Sequence, residues 1–179
     1  MSDPILDFTK EPKQIILDLI NADNPDTTTS PVTEAQVIFA APVVETGAKN
    51  TSLELDSVVG GPYLGKRTIY YDRLVLSEVF ALISNRFEKT DEVTTIADVV
   101  ALINAHYKLN LTDDDFTASE FPTWVLEPNE EHAVTITAKA GSLIFIGAGD
   151  VVLYLPQVAL ADAISNNTLN GLTYVPPAP

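Results

Sequence analysis

His106 and His132 are the only imidazoles in the chain of 179 residues, and there is no cysteine. Thiolate catalysis is therefore excluded, together with disulfides, zinc fingers and iron–sulfur clusters. A Ser/His/acid constellation needs a histidine held between nucleophile and acid. His106 adjoins Tyr107 at the end of an amphipathic run, where a helix C-terminus favours imidazolium. His132 follows Glu130 and Glu131 at the start of an alternating run. Both read as surface histidines. The sequence holds no GxSxG elbow, Walker loop, HExxH or dinucleotide fingerprint. Asp113-Asp114-Asp115 is consecutive, so it lacks the alternate spacing and the glycine of an EF-hand loop. It reads as a solvated turn whose acids accept local backbone bonds. The expectation is a protein that is not an enzyme, with no catalytic residue, cofactor or metal.

What remains is binding. Trp124 and the pair Tyr70-Tyr71 can stack a ligand, although aromatics at strand positions more often form core or cross-strand pairs. Lys66, Arg67 and Arg73 form the notable basic cluster, suited to acidic residues of a partner or of a second copy. Elsewhere acids dominate, 25 Asp and Glu against 10 Lys and Arg, for a net charge of −15. That charge opposes nucleic acid, where basic side chains must displace counterions, and equally an anionic membrane surface. No apolar run approaches the roughly 20 residues of a membrane span. Met1 to Glu11 lacks the basic start and apolar stretch of a signal peptide. Asn50, Asn110 and Asn166 each open a glycosylation triplet, which carries no meaning without secretion. Since 46% of the residues are hydrophobic, the chain can build a core.

The elements that position these residues come twice. Leu19-Ile20-Asn21-Ala22 recurs as Leu102-Ile103-Asn104-Ala105, 83 residues on. An acidic connector follows each copy, Pro31 to Ala35 and Asn110 to Asp114, and Thr51 to Leu55 then corresponds to Val134 to Ala138 at an offset of 83. Thr68 to Tyr71 corresponds to Val152 to Leu155, and Leu74 to Glu78 to Val158 to Asp162, at an offset of 84. Four blocks in one order at nearly constant offset point to tandem duplication. Ile15, Ile16, Leu19 and Ile20 predict a helix opened by Pro12 and stopped at Asn24-Pro25. Ile96, Val99, Val100, Ile103 and Tyr107 predict a second, with Thr95 and Asp98 as a capping box. Strands are expected at 36–40, 51–55 and 68–73, then at 124–126, 133–138 and 151–155, with 143–146 as a further strand or the start of the last. Gly60-Gly61-Pro62 and Gly147-Ala148-Gly149 read as turns.

The fold class is therefore α+β, a tandem pseudo-repeat of a helix plus a short antiparallel meander. Its parts are an N-terminal arm (1–11), a first repeat (12–84), a second (85–164) and an extended C-terminal arm (165–179). Phe8 in one arm, and Leu172, Tyr174 and Val175 in the other, are apolar anchors placed to order against a neighbour.

The runs TTIADVVALINAHYKLNLTDDDF (94–116), VTITAKAGSLIFIGAGDVVL (134–153) and GAKNTSLELDSVVGGPYLGKRTIYYDRL (47–74) resemble modules of tailed-bacteriophage virion structural proteins. The resemblance covers residues 13–164 and carries no catalytic residues. It implies a non-enzymatic component of a virion, made in the host cytoplasm. Its partners would be phage coat protein or other virion proteins, with a homo-oligomer as a further option. The first expectation is an exterior capsid decoration protein that cements coat subunits. A tail, neck or baseplate accessory is the alternative, and a small-ligand or glycan-binding module the alternative of another class.

Overall fold

Helix formation begins where proline tolerates it. The computed structural model describes residues 4–24, 31–119, 121 and 130–156. Helix α1 (Pro12–Asp23) carries Pro12 in its first turn, where a missing N–H leaves no bond unmade, and stops at Asn24. It buries Ile15, Ile16 and Leu17. Helix α3 (Ile96–Tyr107) opens on the expected box: Asp98 N–H donates to the Thr95 hydroxyl, and the Thr95 N–H donates to the Asp98 carboxylate. It buries Val99, Val100 and Ile103.

After α1 a 3-10 turn (Glu34–Gln36) leads into β1 (Val37–Phe39), β2 (Val43–Val44), β3 (Thr51–Ser57) and β4 (Lys66–Tyr71). β3 is central, with β4 antiparallel on one edge and β1 and β2 antiparallel along the other. After α3 come β7 (Phe116–Ala118), β8 (Glu131–Ala138), β9 (Phe145–Ile146) and β10 (Ala148–Tyr154). Here β8 is central, between β7 and β10, both antiparallel to it. The fold is mixed α+β, as composition and periodicity indicate.

The two meanders share one register scheme. Leu53 faces Ile69 across β3 and β4, and Val134 faces Val151 across β8 and β10. Phe39 faces Leu55, and Ala118 faces Ile136. Pairing therefore matches Leu53 with Val134 and Ile69 with Val151, offsets of 81 and 82, each two residues short of the sequence alignment. An even slip keeps every side chain on its original face, so alternation alone could not detect it.

The turns correspond as well. Asn21 grips the backbone of Val32, its amide donating to the Val32 carbonyl at 3.0 Å and its oxygen accepting from the Val32 N–H at 2.9 Å. Asn104 grips Leu111 with two bonds of 2.9 Å. In both halves the gripped residue lies five positions before the first strand of the meander. Thr33 and Gln36, like Thr112 and Asp115, then close the same turn. Asn21→Ala and Asn104→Ala should each lower stability by about 2 kcal/mol, two half-buried hydrogen bonds being lost at each. Urea titration checks this, and an unchanged midpoint for either variant contradicts it.

Between the meanders the chain crosses over. β5 (Leu74–Val75), α2 (Leu76–Ala81) and β6 (Arg86–Glu88) follow β4 directly, yet all three pack on the second meander. β5 pairs parallel with β9, and β6 parallel with β10. Phe80 of α2 lies so near Gly149 that a Cβ there would sit 2.6 Å from its ring. One apolar core runs through both halves, from Ile16 and Leu53 to Leu76, Val134 and Leu153.

Several expected boundaries shift. The strand expected at 36–40 is Val37–Phe39, because the side chain of Gln36 closes the preceding turn. The strand expected at 68–73 ends at Tyr71, because Asp72 and Arg73 turn aside to bond Asn50. The last strand starts at Ala148, so only Gly147, at φ 77°, acts as the turn. The strand expected at 124–126 lies outside the described residues. Helix α2, assigned by sequence to the first repeat, is buried against the second.

Candidate functional site

The two histidines lie in different surroundings. His106 packs edge-on to Phe87 and Tyr107, and His132 lies within β8. Among the described residues no group of His, Asp and Glu could hold a metal ion. Asp115, expected in a solvated turn, is buried instead. Its carboxylate accepts from the Thr112 hydroxyl at 2.8 Å and the Ser142 hydroxyl at 2.9 Å. Lone-pair satisfaction at this turn explains the burial.

The basic cluster divides. Lys66 and Arg67 lie exposed at the start of β4. Lys66 pairs with Glu54 at 2.7 Å and Asp56 at 3.5 Å, which raises its pKa. Arg67 makes no ion pair with another described residue. Arg73 does not belong to this surface, being only 3% exposed. Its Nε donates to the Thr51 hydroxyl at 2.9 Å and its Nη1 to the Ser142 carbonyl at 2.9 Å. It ties the first meander to the loop before β9, and burial lowers its pKa. Phe8, like Leu6, is partly buried against the core. Leu172, Tyr174 and Val175 lie outside the described residues.

Tyr70 and Tyr71 cannot flank one ligand, because successive strand residues face opposite ways. Tyr70 is 63% exposed, while Tyr71 is buried and donates to the Leu143 carbonyl at 2.7 Å. Burial pushes the Tyr71 hydroxyl up to about 12. A neutral form favoured in the folded state stabilises fully below the unfolded value near 10, and that stability is lost as pH rises from 10 through 12. Stability should therefore fall by about 1 kcal/mol between pH 8 and 11. Tyr71→Phe should flatten this part of the profile, which urea titration across the range can check.

The site sequence reasoning missed is a crevice of about 570 Å3 between α1 and the first meander. Leu19, Ile20, Val37, Leu55 and Ile69 form its apolar wall, and the exposed Arg67 also lines it. Beside it β4 has an open edge. The Ser57 N–H donates to the Gly65 carbonyl. The alternation of antiparallel bonds then turns the N–H and C=O of Lys66, Thr68 and Tyr70 away from β3. Among the described residues no strand pairs there. Such an edge is a template for an added strand.

A profile of a family of unknown function (DUF7941) matches residues 6–178. The chain belongs to that family. No curated protein and no solved structure matches it. The DUF7941 match takes in both meanders and continues beyond β10, so the stretch after Pro156 is part of the shared sequence. No helix among the described residues of this DUF7941 member is long and apolar enough to cross a membrane.

Proposed function

We propose that this chain is a non-enzymatic virion structural protein of a tailed phage, built from two duplicated units. It decorates the capsid exterior, where it cements neighbouring coat subunits. The observation that carries this reading is the open edge of β4 beside an apolar crevice that Arg67 also lines. An extended segment of a neighbour can add to such an edge by main-chain bonds, with apolar side chains entering the crevice. Duplication is supported by the shared registers and by the matching grips of Asn21 and Asn104. The net charge of −15 suits an outer surface better than one facing packaged DNA, and it keeps free subunits apart. The resemblance to virion modules supports the setting, and it extends to tail, neck or baseplate accessories as the second reading.

The C-terminal arm (165–179) is read as a contact to the particle. Deleting Ser165 to Pro179 should abolish attachment to particles and leave the fold intact, as measured by co-sedimentation and circular dichroism. Attachment that survives the deletion removes the arm from the proposal.

A further inference from the structure

Among the described residues β4 is the outer strand long enough to hold a partner. It has six residues, whereas every other outer strand has two or three. The N–H and C=O groups of Lys66, Thr68 and Tyr70 point away from β3, and no described backbone group bonds them. The side chains of these three residues share the outer face of the sheet. Arg67 and Ile69 share the opposite face and line the crevice.

The order of residues in β4 is complementary to its own reverse. Lys66 and Arg67 precede Thr68, and Ile69 and Tyr70 follow it. Suppose a second copy lies antiparallel with Thr68 on a two-fold axis. Lys66 then faces Tyr70 of the second copy, Arg67 faces its Ile69, and Thr68 faces its own counterpart. All the outward main-chain groups meet in register, giving about six bonds. Centring the pair on Arg67 instead would keep about four and set like charges directly opposite.

Charge points the same way. With a net charge of −15, two copies repel over most of their surfaces. β4 carries two cations and no carboxylate, and Lys66 already neutralises Glu54 and Asp56 behind it at 2.7 and 3.5 Å. The cationic half of each strand lies against the apolar half of the other. There a lysine stem can pack along the exposed ring of Tyr70 with its ammonium near the π face. The two Arg67 side chains lie diagonally across the axis, and Asp23 lines each crevice as well.

We infer that β4 is a self-pairing edge through which two copies of the chain join their first sheets. This rests on the reading of the β4 edge as a docking edge, and it names the occupant. On the crevice face, Ile69 of each copy stands beside Arg67 of the other, so each chain contributes an apolar residue to its neighbour's crevice. The contact is isologous, so assembly stops at two copies.

The absence of native cysteine lets one substitution report the axis. Thr68→Cys is made in the full-length chain and oxidised. Facing residues of a hydrogen-bonded antiparallel pair lie about 5.5 Å apart at Cα, within disulfide reach. A dimer should form on a non-reducing gel at about tenfold the yield of Thr117→Cys, in the exposed middle of β7. A mixture of Lys66→Cys and Tyr70→Cys should cross-link as well. Lys66→Cys alone should not, its two copies lying roughly 13 Å apart along the strands. Cross-linking of Thr68→Cys at the control level, or of Lys66→Cys alone as strong as the mixture, overturns the inference.

A second readout needs no cysteine. In about 0.5 M salt, where surface charge is screened, the mass of the native chain should rise with concentration from one copy to two and stop there. Thr68→Pro removes an N–H that points away from β3, so the fold keeps its ladder while the edge is blocked. Thr68→Pro and Tyr70→Lys should both hold the mass at one copy with an unchanged circular dichroism spectrum. A native mass that stays at one copy, or climbs past two, overturns the inference. No particle is present in either assay, so a chain that pairs in this register yet ignores particles upholds the pairing and contradicts the virion reading alone.

Discussion

Arg73→Ala should cost about 3–4 kcal/mol of stability, through a cavity and several broken buried hydrogen bonds. The guanidinium lies 3% exposed and donates to Thr51, Ser142 and, at 3.3 Å, Ala140. Its removal orphans the carbonyls of a loop that also positions Asp115 through the Ser142 hydroxyl. The Arg73 fork reaches acceptors on both halves, so a single-headed lysine cannot replace it. Arg73→Lys should therefore lose about 2 kcal/mol, most of the same stability. By contrast, Arg67→Ala and Lys66→Ala, on the exposed start of β4, should each leave the urea midpoint close to native, because exposed ion pairs contribute little. Urea titration of the four variants separates them, and an Arg73→Ala midpoint near the native value contradicts the assignment.

Gly149→Ala should lose about 2–3 kcal/mol, because the added Cβ would meet the backbone of Leu76 at 2.9 Å as well as the Phe80 ring. The backbone of α2 cannot yield as a side chain tip can, so the helix must lift off β10. Gly147→Ala has room, its nearest neighbour being Val75 at 3.6 Å, but φ of 77° strains any L side chain by about 1–2 kcal/mol. Gly141→Ala meets nothing within 4 Å and should be nearly neutral. Thermal melts of the three variants test this order. Equal losses at Gly149 and Gly141 would mean that α2 does not sit against β10.

Legibility in the sequence followed how local each cause is. Helices α1 and α3 were readable because Pro12, Asn24 and the Thr95–Asp98 box act within one or two turns. The central strands were readable because Leu53 and Leu55, like Val134 and Ile136, alternate cleanly. Helix α2 was hidden because Leu74 to Phe80 is apolar enough to look like a strand continuation, and six residues show little helical period. β6 was hidden because Arg86-Phe87-Glu88 offers one apolar residue, and its pairing with β10 spans more than sixty positions. Arg73 was misplaced for a related reason: an arginine is normally a surface residue, and its buried acceptors, Thr51 and Ser142, lie 22 and 69 positions away. The crevice is lined by Leu19 and Ile20 of α1 and by Val37, Leu55 and Ile69 of the meander, residues that only tertiary packing brings together.

We propose that the chain acts by binding a virion. The most direct test is the mass of the purified full-length protein, alone and after mixing with tailed-phage particles from the same source, followed by sedimentation. A virion-binding protein should remain in solution alone and co-sediment with particles at a fixed, saturable copy number. Protein that stays in the supernatant at every ratio, with particles and isolated coat protein alike, contradicts it.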